Sequence, residues 1–206
     1  MIPRIKIMKK TIIKTVIITI VSIILAASLA IGIILAVSPK TIGKVFTKCG
    51  NYNAAAKLYE NQYKRYESLS DLEELVGLSI SAENNKLISV YGERLTVNYK
   101  ENWLKKENAE EKYDNYAKAT VEAYYKRDKK EDCVRVAFST SDSFIENTSL
   151  YYLFGLCDSK EDKDLAYEIF KYNKKNPDSI TDLSKNYMET RIEGYRKKYD
   201  FFYYNK

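Results

Sequence analysis

The sequence predicts an all-helical protein held in a membrane by one N-terminal helix. Three observations carry this. Glycine and proline number only seven and three in 206 residues, so helix breakers are scarce while helix formers are abundant. No charged residue lies between Thr15 and Val37. Beyond that run, small and aromatic residues recur at helical spacing with a period near that of a helical hairpin.

The run Thr15–Val37 is interrupted only by Thr, Ser and one Gly. As a helix rising about 1.5 Å per residue it exceeds the roughly 30 Å of a hydrocarbon core. Ser28-Leu29-Ala30 resembles a signal-peptide cleavage site, but the apolar run continues to Val37 and Pro39 follows Ser38. The segment is therefore expected to stay as an anchor. Arg4, Lys6, Lys9, Lys10 and Lys14 precede it, against Lys40, Lys44 and Lys48 behind it. That bias favours a cytoplasmic N-terminus, with the rest of the chain across the cell membrane in a single pass. No cysteine precedes Cys49, so nothing suggests an N-terminal lipid. The expected division is a cytoplasmic stub and anchor over 1–38 and a helical domain over 39–206.

The formal charge of +6 does not belong to that domain. Residues 1–59 hold nine basic residues and no acid, while the remainder sets 25 basic against 28 acidic residues. Nucleic-acid binding would need the excess on the folded surface, so no nucleic-acid partner is expected.

The domain repeats itself. Ile42-Gly43-x-x-Phe46 leads into Gly50-Asn51-Tyr52-x-x-Ala55-x-x-x-Tyr59, and Val76-Gly77-x-x-Ile80 recurs 34 residues after the first glycine. Thr120-Val121-x-x-Tyr124 forms a third copy without the glycine. Tyr151-x-x-Phe154-Gly155-Leu156 with Ala166-x-x-x-Phe170 and Pro177 forms a fourth. In each hairpin the small residue of the first helix is expected to admit the second helix. The second answers with Ala55, Ser89, Cys133 or Ala166. These residues resemble the tetratricopeptide repeat family over most of residues 36–178. The resemblance implies an α-solenoid of about four helical hairpins with a C-terminal capping helix, and protein ligands. Copies two and three stand 44 residues apart, implying about ten inserted residues near Asn98–Glu107.

Helix starts are marked by Ser70-x-x-Glu73 and Ser179-x-x-Asp182, both with capping-box spacing. Ile180, Leu183 and Tyr187 then predict a terminal helix over 179–200 covering the last hairpin, with Phe201-Phe202-Tyr203-Tyr204 tucked against it.

Signatures of chemistry are missing. There is no histidine, no phosphate loop and no nucleophile elbow, and the cysteines at 49, 133 and 157 lack metal-ligand spacing. No enzyme activity, cofactor or metal is expected. Asn147-Thr148-Ser149 matches a glycosylation acceptor formally, a short pattern with many false positives. Cys133 and Cys157 lie near helix ends that antiparallel packing brings together. A disulfide is possible in an oxidising compartment, although two buried thiols explain them as well.

The resemblance places first helices along the concave, ligand-binding face. With Ala117, Thr120, Val121 and Tyr124 as the packed stripe, Asn115, Lys118, Glu122 and Tyr125 fall opposite, joined by Ser149 and Tyr152 of the next hairpin. The expected function is a non-enzymatic, membrane-tethered module that binds a protein or peptide partner. Its role as scaffold or chaperone-like helper in a cell-envelope complex is open. The alternative is a regulatory subunit or sensor that passes ligand occupancy to the anchor.

Overall fold

The structure is a computed structural model describing residues 2–37, 39–140, 148–177 and 182–201. Among the described residues every regular element is a helix. α1 (Ile2–Val37) contains the apolar stretch Lys14–Ile33, with mean hydropathy 2.8 and none of it buried. Twenty such residues reach about 30 Å, long and apolar enough to cross a membrane.

Pairs of helices follow: α2 (Pro39–Lys48) with α3 (Tyr52–Tyr66), α7 (Ala109–Lys126) with α8 (Lys130–Thr140), and α9 (Thr148–Lys160) with α10 (Lys163–Lys175). Between the first and second of these, α4 (Leu69–Ser81) pairs with an irregular helix. That helix opens as α5 (Asn85–Leu87) and widens to π hydrogen bonding over Ile88–Gly92 and Arg94–Asn98. The short α6 (Lys100–Leu104) comes next, and α11 (Asp182–Tyr199) closes the chain. Each pair packs on the next: α3 touches α2 and α4, α8 touches α7 and α9, and α10 touches α8 and α11.

One turn closes all four pairs. Gly50, Glu83, Asp128 and Glu161 are left-handed, with φ of 72°, 51°, 55° and 48°. Each donates its N–H to the carbonyl three residues back, and the following residue donates five back, as Asn51 does to Phe46 and Asp162 to Cys157. This is a Schellman ending. The residue that completes it also starts the second helix. Asn51, Asn84 and Asp162 accept from the N–H of Ala54, Leu87 and Leu165, a side-chain N-cap. Only the first turn uses glycine. The other three hold an acidic residue in a region that disfavours a Cβ by about 1–2 kcal/mol.

These turns define the register of the repeat. Gly50 to Glu83 and Asp128 to Glu161 are both 33 residues, one fewer than the spacing of Gly43 and Gly77. Seven residues before each turn stand Gly43, Val76, Val121 and Phe154, all buried. Gly77 and Gly155 therefore lie one residue out of register, and the expected role of the glycine holds only at Gly43. A Cβ there would meet the Tyr59 ring of α3 at 2.6 Å, one at Gly77 would meet the Tyr116 hydroxyl of α7, and one at Gly155 would meet nothing within 4 Å. The small residues of the second helices, Ala55, Ser89, Cys133 and Ala166, are all fully buried. In the second pair the wide π turn brings both Ile88 and Ser89 inside, because a π turn takes up an extra residue.

The residues that lengthen this repeat form α6 and the turn after it. They are not a loose loop, since Trp103 is fully buried and stacks on Tyr116 at 5.4 Å between ring centroids. Two cores result, one around α3, α4 and Trp103, the other around α7 to α11.

Two expectations about helix ends change. α4 starts at Leu69 after Ser68, whose side chain makes no cap bond, so Ser70 does not cap. Its proposed partner Glu73 instead pairs with Lys106 at 3.3 Å and Lys112 at 2.7 Å. α11 packs through Met188, Ile192 and Tyr195, while Tyr187 stays 41 % exposed. Phe201 is buried against Tyr167, Phe170 and Tyr199. Ser179, Ile180, the Leu183 side chain and the tail 202–204 lie outside the described residues, as does Asn147.

The register makes the two glycines unequal. Gly43→Ala should destabilise the chain by about 1–2 kcal/mol through overpacking against Tyr59, whereas Gly155→Ala should stabilise by about 0.5–1 kcal/mol through helix propensity. Urea unfolding of the full chain in detergent checks both.

Candidate interaction surface

The orientation of α7 sets which of its side chains are available. Ala117, Thr120, Val121 and Tyr124 are buried, as the packed stripe requires. Gly92 lets α7 approach: a Cβ at that position would fall 2.2 Å from the Thr120 hydroxyl. The Tyr124 hydroxyl donates to the Glu93 carboxylate, which also receives Arg135 at 2.7 and 3.1 Å. Burial alone would raise the Glu93 pKa, but the Arg135 and Tyr124 hydrogen bonds outweigh it and hold it below the ordinary value.

On the opposite side Asn115 and Lys118 are exposed and Glu122 is half-buried. The Lys118 ammonium sits 4.9 Å from the centre of the Tyr152 ring, a cation–π contact. Glu122 pairs with Lys126 at 2.7 Å. The Lys126 hydrogen bond, with one from the Tyr152 hydroxyl, lowers its pKa against the opposing effect of burial. Burial and the Glu122 charge together raise that of Tyr152. Lys118, Glu122 and Tyr152 thus form one cluster, with Asn115 a turn before it.

The other two expected residues stand elsewhere. Tyr125 is half-buried against the core, and its hydroxyl donates to Asp162 at 3.2 Å, beside the Lys130–Asp162 ion pair at 2.8 Å. Ser149 is a correction. It is 3 % exposed, with its hydroxyl 2.8 Å from that of Thr140. The cause is the register. Counted back from the turns, Lys118 and Glu122 on α7 correspond to Tyr151 and Gly155 on α9. The pattern with Ser149 and Tyr152 is thus slipped by one residue.

Tyr151 is 47 % exposed and packs its ring 5.0 Å from that of Tyr187 on α11. Arg191 lies beneath, its guanidinium 5.7, 5.9 and 5.8 Å from the rings of Phe154, Tyr187 and Tyr195, and it pairs with Asp158. The result is a shelf of two tyrosines, one of them backed by an arginine, next to bare backbone at Gly155. In the sequence Tyr151 and Gly155 stood out only as repeat positions and Tyr187 only as part of the terminal helix, and Arg191 did not stand out at all. The signal that could have found them is the 33-residue interval between the hairpin turns.

The surface offers stacking area, hydrogen bonding and the charged groups of Lys118 and Glu122. Cys133 and Cys157 are free, buried thiols, near backbone carbonyls of Val121 and Asp162 at 3.4 and 3.5 Å. Burial and the Asp162 charge push the Cys133 thiol up to about 12, which disfavours the reactive thiolate. Among the described residues no three acidic or cysteine side chains gather as a metal site. A cleft of about 280 Å³ opens between α8 and α10, but Arg135 and Lys171 on its walls are paired with Glu93 and Glu168.

Set against models of known protein families, characterised proteins and solved structures, the chain matches none of them.

Asp162 joins this surface to the fold, and its titration is testable. Burial raises its pKa, but Lys130, the Leu165 N–H and Tyr125 outweigh burial and leave it below the ordinary aspartate value. A depressed folded pKa means that the stabilisation is full above the unfolded value near 4 and is lost as pH falls through the lower folded value. Asp162→Asn keeps the cap and loses the charge. It should destabilise by about 1–2 kcal/mol at pH 7, and the gap from the parent should close below about pH 4. Urea unfolding between about pH 3 and pH 7 measures this.

Proposed function

We propose that the chain is a membrane-tethered, non-enzymatic interaction module: a short tetratricopeptide-like solenoid that holds a peptide or helix of a protein partner on its first helices. The observation that carries this reading is the Tyr151–Tyr187 pair. Two large rings stay exposed at 47 % and 41 % and pack against each other, and the Arg191 guanidinium lies over the Tyr187 ring. Prepositioned tyrosines give contact area with little loss of side-chain entropy on binding. Lys118 and Glu122, which meet Tyr152 on α9, add charges of both signs, suited to polar groups of a partner backbone. The four equal turns support the solenoid, since they give each hairpin the same exit direction.

Partner capture tests this reading. In the full chain, Tyr151→Ala with Tyr187→Ala should release the partner found by cross-linking while changing stability by about 1 kcal/mol or less. Tyr125→Ala with Tyr152→Ala should instead destabilise by about 3 kcal/mol or more, because both rings pack on the core. Undiminished capture by the first variant would place binding elsewhere.

α1 would anchor this module, and the five basic residues ahead of its apolar stretch favour a cytoplasmic N-terminus. Protease added to intact cells should then digest the helical domain. Full protection would reverse the orientation.

A further inference from the structure

Three lysines in a row mark α2, and no later first helix carries all three at the matching places. Lys40, Lys44 and Lys48 fall at successive fourth positions, so they line one side of this ten-residue helix, and all are exposed. Val45 beside them is 54 % exposed, and Lys57 on α3 is exposed as well. Lys40 pairs with Asp71 at 2.7 Å, but among the described residues no carboxylate pairs with Lys44, Lys48 or Lys57. In later hairpins the matching places read Glu73, Gly77 and Ser81, then Lys118, Glu122 and Lys126, then Tyr151, Gly155 and Ser159, so none repeats the row of three. Like charges four apart on a helix repel, so an anionic surface beside Lys44 and Lys48 would relieve that repulsion.

Such a surface is within reach. α2 begins two residues after α1 ends. Lys44 lies within about 10 Å of that end along the chain and Lys48 within about 17 Å, before the length of their own side chains is added. The potential of anionic headgroups acts over about 8 Å at physiological salt. We propose that the first hairpin lies on the bilayer, with Lys44 and Lys48 on the phosphates of anionic phospholipids and Val45 at the edge of the acyl region. This rests on α1 being a membrane span. A lipid occupant is favoured over an acidic peptide because the row adjoins the anchor, in a hairpin whose residues 39–59 hold no acid, with the apolar Val45 exposed among the lysines.

Cys49 supplies the probe. It is exposed one residue beyond Lys48, while Cys133 and Cys157 are buried, so a maleimide fluorophore on the folded full chain labels it selectively. The labelled protein is reconstituted into vesicles of phosphatidylcholine, with or without phosphatidylglycerol at about one lipid in three, each carrying a headgroup quencher. Flotation reads the anchor. The expected result is flotation in both compositions and about twofold stronger quenching with phosphatidylglycerol. The excess should vanish in about 0.5 M salt, where screening shortens to about 4 Å. It should vanish equally in Lys44→Glu with Lys48→Glu. Equal quenching in both lipids, or an excess that survives both treatments, overturns the proposal while leaving the anchor in place. Loss of partner capture by that variant without any lipid-dependent quenching assigns the row to an acidic protein surface and also overturns it. Failure to float overturns the anchor and the proposal together.

Discussion

Everything in the helical domain depends on how each first helix ends. The left-handed residue at positions 50, 83, 128 and 161 turns the chain back in the same way four times. The residue after it closes one helix and begins the next. Once the turn is set, counting back by helical periodicity decides which first-helix side chains face inward. Counting forward brings Ala55, Cys133 and Ala166 against them. Three of the four turns place Glu or Asp where a Cβ is disfavoured. The conformation is therefore imposed by the packing of the helices on either side, and the hairpins depend on their neighbours. Such dependence between adjacent units is characteristic of repeat architectures.

The helices and their order were legible in the sequence because they rest on strong signals: an uncharged apolar run, aromatics at helical spacing, and the stripe of Ala117, Thr120, Val121 and Tyr124. The extra residues after copy two were legible too, as a broken period. The candidate surface was only half legible. Gly43 and Gly77 look like equivalent residues, but the equivalent of Gly43 is Val76. The slip arises because a glycine can serve two purposes: Gly43 makes room for Tyr59 in its own hairpin, whereas Gly77 faces Tyr116 in the next. A one-residue error turns a helix by about 100°, enough to exchange exposed Tyr151 for half-buried Tyr152. The non-glycine turns were hidden for a related reason, since Glu83 and Glu161 carry no residue-type signal for a left-handed backbone.

Charge is divided along the chain in a way that agrees with the proposed roles. The basic residues crowd the anchor and the first hairpin, and further on acids and bases are interleaved and largely paired, as in Glu73 with Lys106 and Lys112 or Asp162 with Lys130. Exposed aromatic surface is found at the opposite end, on α9 and α11. The helices between them would act as a spacer that presents Tyr151 and Tyr187 at a distance from the bilayer.

Trp103 is the sole tryptophan. It is fully buried where α6 meets α7, stacked on Tyr116, and its indole N–H has no hydrogen-bond partner. Indole emission follows the polarity around the ring and is altered by a neighbouring stacked ring. The chain thus carries a single indole beside its nineteen tyrosines, located near the joint between its two hydrophobic cores. Light at the red edge of absorption, which tyrosine does not take up, excites this indole alone, so a hinge opening between the two cores would be visible without any added dye.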